Sequence, residues 1–217
     1  MNTSADRDRS EERAQMVATQ IENRGIHDAA VLAALRAVPR HRFVPANHLK
    51  QAYADMPLPI GQDQTISQPY IVACMTDLLR ISNKPNARVL EIGTGCGYQT
   101  AILALLAREV YSIEILPRLA RLAAKRLNGL RSIHLRAGDG FAGWPEQAPC
   151  DGIRVAAAPP SIPPPLLEQL TVGGRLVIPV GRDRQELLVI RRTPTGLERE
   201  TILPVRFVPM TGRALTE

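Results

Sequence analysis

The chain has 217 residues, 45% hydrophobic and 22% charged, with a formal net charge of +6. That is enough apolar material for one medium-sized domain around a buried core, and no run approaches the ~20 apolar residues of a membrane span. Residues 1–13 are polar, unlike a secretory leader, and Cys74, Cys96 and Cys150 are widely spaced with no CxxC pair. Such a scattered set points to reduced thiols in the cytoplasm, not to a disulfide framework or a zinc site. His27, His41, His48 and His134 have no metal spacing, so no metal is expected. The arginines are dispersed without interleaved aromatics, which reads as a solvated surface more than as a nucleic-acid footprint.

Residues 1–10 have the composition of a disordered arm. Beyond them, the spacing of Met16, Val17, Gln20 and Ile21 predicts a short helix closed by Gly25. Asp28 then caps a second helix, with Val31, Leu32, Leu35 and Val38 on one face, and Pro39 stops it. Residues 45–68 contain prolines and little periodicity, as a long functional or mobile loop would. Ser67 is placed to cap a third helix reaching about Leu79, with Pro69 in its first turn.

From Arg88 onward, strand-length apolar runs at 88–92, 110–115, 132–136, 152–156 and 175–180 alternate with helical segments at 98–107, 117–127 and 164–170. This alternation predicts an α/β fold: a doubly wound, mostly parallel Rossmann-like sheet with helices on both faces. Two more strand-like runs, 186–191 and 201–208, flank the turn material Pro194-Thr195-Gly196 and predict a C-terminal antiparallel hairpin. The expected organisation is a single domain over 11–217. In it, 11–80 form an N-terminal helical extension serving the substrate or acting as a lid, and 88–217 form the cofactor-binding sheet.

The segment Glu91-Ile92-Gly93-Thr94-Gly95-Cys96-Gly97 joins the first of those strands to its helix. Glycine there lets backbone approach a ligand that any Cβ would block. The glycines are spaced GxGxG, whereas the dinucleotide fingerprint is GxGxxG with a pyrophosphate on the helix start. Glu91, at the strand end, would repel a pyrophosphate but suits the ammonium and sulfonium of S-adenosylmethionine, directly or through water. Glu114 ends the second strand, where it can accept from both ribose hydroxyls or serve as an acidic N-cap before Pro117. Asp139-Gly140 follows the third strand, where the carboxylate can accept from an adenine amino group and the glycine leaves room for the ring; alone the pair is an ordinary turn. Together the loop and three carboxylates predict a methyltransferase that uses S-adenosyl-L-methionine and releases S-adenosyl-L-homocysteine.

Further along, Gly61-Gln62-Asp63-Gln64-Thr65-Ile66-Ser67-Gln68-Pro69-Tyr70, the stretch 89–101, Val155-Ala156-Ala157-Ala158-Pro159-Pro160, Gly173-Gly174-Arg175-Leu176-Val177-Ile178-Pro179-Val180-Gly181 and Arg206-Phe207-Val208-Pro209-Met210-Thr211 resemble the protein-L-isoaspartate O-methyltransferases. The resemblance covers about 13–211, and Thr65-Ile66-Ser67-Gln68-Pro69 is its specific part. It implies methylation of the α-carboxylate freed when an aspartyl or asparaginyl residue rearranges to L-isoaspartate, after which the ester closes to a succinimide. By the same resemblance Ser67 is the active-site residue beside substrate and cofactor. Gly93, Gly95, Cys96 (through its backbone), Glu114, Asp139, Gly140, Pro69, Tyr70 and Thr211 fall on cofactor-contacting positions, joined by Glu91 and Gly97 of the loop. Thr65, Ile66, Ala157 and Pro159 stand with Ser67 on the acceptor side. The implied partners are isoaspartyl peptides and proteins, with no nucleic acid, no membrane and a monomeric chain. Two positions depart from the family pattern: Asp63 stands where bacterial members usually carry glycine, and Ala156 where many carry threonine.

A carboxylate acceptor is ionised at neutral pH and needs no strong general base, consistent with the absence of a Ser–His–Asp pattern. Ser67 would orient the acceptor oxygen and, as a cap, set it near helix-start N–H groups that favour anions; a purely structural cap is the competing reading. Cys96 reads as loop packing and Cys74 and Cys150 as small buried residues. Trp144 reads as a cover for the cofactor-side edge of the core, and the prolines at 159–165 as stiffeners of the loop after the fourth strand. Other readings are a same-fold methyltransferase acting on RNA or a dedicated modified peptide, and a non-catalytic adenosyl-binding protein. A nicotinamide oxidoreductase fits the loop spacing worst.

Overall fold

The computed structural model describes residues 9–215. Most of the arm expected at 1–10 lies outside those residues, and Ser10 already begins a helix.

Helix α1 (Ser10–Met16) runs on through a π turn, Val17–Ile21, and a 3-10 turn, Glu22–Arg24. It ends on Gly25 at φ 91°, a left-handed position where glycine carries no Cβ penalty. Helix α2 (Ala29–Ala37) begins on Asp28, whose carboxylate accepts from the backbone N–H of Ala30 and Val31, both at 3.0 Å, and from the Ser82 hydroxyl. Its face of Val31, Leu32 and Leu35 is buried, as the spacing predicts.

Residues 45–68 are more structured than a loop. They hold a 3-10 turn, Ala46–Gln51, and a hairpin of β1 (Leu58–Gly61) and β2 (Gln64–Ile66). Arg40, fully buried, fastens the stretch by donating from Nε to the Ala52 carbonyl at 2.9 Å, with its guanidinium 5.1 Å from the Tyr98 ring centre. The hairpin turns on Gln62 and Asp63 at φ 56° and 55°, the two left-handed positions of a type I′ turn.

Helix α3 (Pro69–Leu78) follows. The expected Ser67 cap is not there: Gln68 is the N-cap, and no side chain caps the helix. Pro69 supplies the first helical residue, and the extended backbone favoured before proline moves the boundary one place past Ser67.

The rest of the chain builds one sheet from β3 (Arg88–Ile92), β4 (Glu109–Glu114), β5 (Ile133–Ala137), β6 (Cys150–Val155), β7 (Leu170–Val180), β8 (Gln185–Thr193) and β9 (Gly196–Val205). Helices α4 (Tyr98–Leu103), α5 (Pro117–Arg126) and α6 (Pro164–Glu168) lie in the connections. The order is β5-β4-β3-β6-β7-β8-β9, parallel from β5 to β7, with β8 and β9 each antiparallel to the strand before. The chain works outward from β3 in both directions, so the sheet has a switch point beside β3, the position where open α/β sheets bind ligands. Each face has its own core. Val89, Met75, Leu35 and Ile102 belong to one; Leu90, Ile92, Ile153 and Leu176 to the other, with Leu166 of α6. Trp144 belongs to the second face, edge-on to Tyr111 at 5.7 Å and beneath the Arg136 guanidinium at 5.1 Å. It covers no part of the cavity described next.

Candidate active site

A cavity of about 630 Å³ opens where β3, β4 and β6 end, in the size range of small-molecule sites. The glycine loop 92–96, residues 113–116 after β4, Gly140 and 156–157 after β6 form its sheet side. The β1–β2 hairpin, the start of α3 and the segment 203–211 form its other walls. That last segment is laid over the end of β6 by two backbone bonds: Ala158 N–H to the Val208 carbonyl at 2.9 Å, and Met210 N–H to the Ala158 carbonyl at 2.8 Å.

The loop is shaped by close packing beneath it. Gly93, at φ 91°, lies so near Ala156 that a Cβ on it would stand 2.9 Å from the alanine Cβ. Glu114 secures the loop from the side: its Oε2 accepts from Gly95 N–H at 2.7 Å and its Oε1 from Leu116 N–H at 2.9 Å. It is not the N-cap of α5, which is Leu116, and each of its oxygens keeps a lone pair for a further donor. A Cβ on Gly140 would come within 2.4 Å of Ile92 Cγ2, so glycine is required there to let the chain cross the end of β3.

Eleven of the site residues expected from the sequence line this cavity: Thr65, Ile66, Ser67, Tyr70, Gly93, Gly95, Cys96, Glu114, Gly140, Ala157 and Thr211. The hydroxyl of Ser67 has no hydrogen-bond partner among the described residues, and the side chain is half-buried in the cavity wall. Tyr70 lies under the Arg24 guanidinium, 3.5 Å from the ring centre, and Arg24 in turn pairs with Asp55 at 3.1 Å. Burial pushes the Cys96 thiol upward in pKa and those of Cys74 and Cys150 up to about 11, as packing residues and not nucleophiles would behave.

Five expected site residues stand elsewhere. Glu91 is fully buried beneath the loop: its Oε2 accepts from Thr100 at 2.5 Å and from Ser112 at 2.7 Å, and its Oε1 faces Arg154 Nη1 at 3.3 Å. Burial pushes its carboxyl up in pKa, while Arg154 and the two hydroxyls favour the charged form. It therefore serves the core and not a ligand's ammonium. Gly97 caps α4 at φ 90°, where a Cβ would meet Leu127 at 3.1 Å, so it is a packing position. Asp139 is absent from the cavity lining; its Oδ1 accepts from Phe141 N–H at 2.9 Å and its Oδ2 from Arg213 N–H at 2.8 Å, tying the C-terminal turn that follows Thr211 to the loop after β5. Pro69 is buried in the first turn of α3, and Pro159 is buried behind the wall with its carbonyl accepting from Gly181 N–H at 3.0 Å.

Arg154, Gln99, Arg24 and Arg206 also line the cavity and are absent from the sequence expectation. Arg154 carried a signal: an arginine inside the apolar run Ile153-Arg154-Val155, a place where charge is buried only with a partner. The strand register sets it beside Glu91.

The chain is similar to known proteins over nearly its whole length. A family model described as protein-L-isoaspartate(D-aspartate) O-methyltransferase matches residues 11–215. A protein-L-isoaspartate O-methyltransferase of Picosynechococcus sp. is 56% identical over 93% of this chain and 91% of its own, and one of Gloeobacter violaceus is 54% identical over 90% and 97%. Among solved structures, a protein-L-isoaspartate O-methyltransferase superposes with a TM-score of 0.84 at 26% identity, over 94% of this chain and 67% of its own. A Plasmodium falciparum protein solved in complex with S-adenosyl-L-homocysteine shares the fold, with a TM-score of 0.81 at 22% identity over 92% and 98%. The chain belongs to the protein-L-isoaspartate(D-aspartate) O-methyltransferase family.

Proposed function

We propose that the cavity is where this enzyme brings S-adenosylmethionine and the free α-carboxylate of an L-isoaspartyl residue together. The enzyme methylates that carboxylate in damaged proteins and peptides, and the ester then closes to a succinimide, the first step of repair. The observation that carries the placement is that Ser67 and the glycine loop line one cavity.

The residues fit the cofactor. Gly93, Gly95, the Cys96 backbone and Gly140 all line the cavity, and Glu114 keeps free lone pairs for ribose hydroxyls. S-adenosylmethionine supplies the activated methyl group when bound. The acceptor is an anion at neutral pH, so the protein's task is orientation, which can lower a barrier by ~7–11 kcal/mol. The Ser67 hydroxyl, free of internal partners, is suited to donate to the acceptor carboxylate and fix its approach. Arg24 and Arg206 on the lining set positive charge about the path of an acidic acceptor. Residues 11–80, which supply the hairpin and α3, act as the acceptor-side extension of a single domain. We further propose that the chain works as a monomer in the cytoplasm without nucleic acid, which the scattered basic residues support. Among the described residues no helix is long and apolar enough to cross a membrane.

Ser67→Ala tests the central role. Losing one hydrogen bond to a charged group predicts a fall in kcat of about ten- to a hundredfold. The variant's unfolding free energy in urea should stay within ~0.5 kcal/mol of the parent's, because no internal bond is lost. Undiminished kcat would remove Ser67 from the mechanism.

A further inference from the structure

One cation of the cavity lining is held in place yet keeps hydrogen-bond donors to give. Arg24 closes the 3-10 turn after α1, and its guanidinium lies over the Tyr70 ring, 3.5 Å from the centre, a stack that fixes the plane of the fork. Nη1 donates to Asp55 at 3.1 Å, while Nε and Nη2, the two nitrogens of the side-on edge, have no partner among the described residues. The Asp55 pair does not neutralise the site: its side chains are 43% and 35% exposed, and an ion pair so open to water is weak. The location is equally informative. Tyr70 stands in the first turn of α3, a few residues past Ser67, and between them Gln68 donates from Nε2 to the Asp55 carbonyl at 3.1 Å. Arg24, Ser67, Gln68 and Tyr70 all line the one cavity. Arg206 lines it too, but is exposed with neither a ring nor a carboxylate to hold it. A guanidinium fixed on a ring, with its side-on edge free, has the geometry that takes a carboxylate through two parallel bonds.

Resting on the acceptor placement above, we propose that Arg24 is a specificity-determining residue for the peptide, its Nε and Nη2 donating to the side-chain carboxylate of a residue next to the isoaspartate. A peptide whose isoaspartyl carboxylate meets Ser67 carries its neighbours only ~3.5 Å further along the chain, and the Arg24–Tyr70 stack stands at the same end of α3. The enzyme then favours damage sites flanked by aspartate or glutamate.

Methylation kinetics on isoaspartyl peptides test this. The peptides are acetylated and amidated at their ends and differ only in carrying glutamate or glutamine immediately before, or immediately after, the isoaspartate. On one of those two sides the parent enzyme should prefer glutamate by about three- to tenfold in kcat/KM. The difference should lie in KM, because the contact is the same in ground and transition states. Arg24→Gln should bring the ratio close to one, Arg24→Lys should keep part of it, and Arg206→Gln should keep most of it. No preference in the parent, or one that survives Arg24→Gln, would overturn the proposal. A preference lost equally in Arg206→Gln would overturn it as well, by showing a diffuse field of the rim. Equal losses on both peptides in Arg24→Gln would make the arginine a prop for Tyr70 and likewise overturn it. Each of these results leaves the proposed function standing, whereas failure of the parent to methylate any isoaspartyl peptide would overturn both.

Discussion

At the tip of the β1–β2 hairpin, Asp63 holds φ 55°, where an L side chain is strained and glycine is not. The side chain is exposed and lines no part of the cavity, so its charge has less bearing on the acceptor than its backbone has on stability. Asp63→Gly should raise the unfolding free energy measured in urea by up to about 1 kcal/mol, the left-handed strain relieved less the chain entropy glycine adds. A fall in stability would mean that Asp63 makes a compensating contact. Single residues were also where the sequence misled most. The Ser67 element was legible because its five residues are specific, yet its capping role was not, because proline shifted the boundary. Glu91 and Asp139 both sit at strand ends, where a carboxylate can face a ligand. Only the fold shows that Glu91 is buried against Arg154 and two hydroxyls, and that Asp139 accepts from two backbone N–H groups and stands off the cavity lining.

Among the elements, α2 depends on a single cap. Burial alone would raise the Asp28 carboxyl, but hydrogen bonds from Ser82, Val31 and Ala30 and the charge of Arg80 outweigh it and hold it below the ordinary range. A depressed carboxyl contributes its stability above the unfolded pKa and loses it as pH falls through the folded one. Asp28→Ala should therefore cost ~1 kcal/mol at neutral pH, and the gap from the parent in urea denaturation should shrink once the pH drops well below about 4. A gap independent of pH would show that the carboxylate is not what caps the helix. The ion pair between β3 and β6 matters more to stability than that cap. Glu91→Ala strands Arg154 in the core and should cost ~3–5 kcal/mol, most of it recovered in Glu91→Leu/Arg154→Met; a near-neutral single variant would contradict the buried pair. Strands were legible wherever apolar residues ran continuously, as in β3, which the periodicity placed at its observed bounds. The extra length of β7 was not, since Gly173 and Gly174 break the pattern at its start. Nor was the hairpin inside 45–68, because strands of four and three residues are too short to show alternation.

For the molecule as a whole, strand–helix alternation fixes the parallel sheet and its switch point, and the switch point fixes where a ligand goes. What alternation cannot give is which segments cross above the strand ends. The cavity is completed by 203–211, laid back over β6 by backbone bonds at Ala158, and by a hairpin some thirty residues before β3 in the chain. Those long-range closures bring Ser67 and the glycine loop into the lining of one cavity. The most direct measurement compares two synthetic peptides identical except that one carries L-isoaspartate and the other L-aspartate, each incubated with enzyme and methyl-labelled S-adenosylmethionine. Label should enter the isoaspartyl peptide alone and be released by mild alkali, as a methyl ester is; equal labelling of both peptides, labelling of neither, or an alkali-stable product would contradict the account.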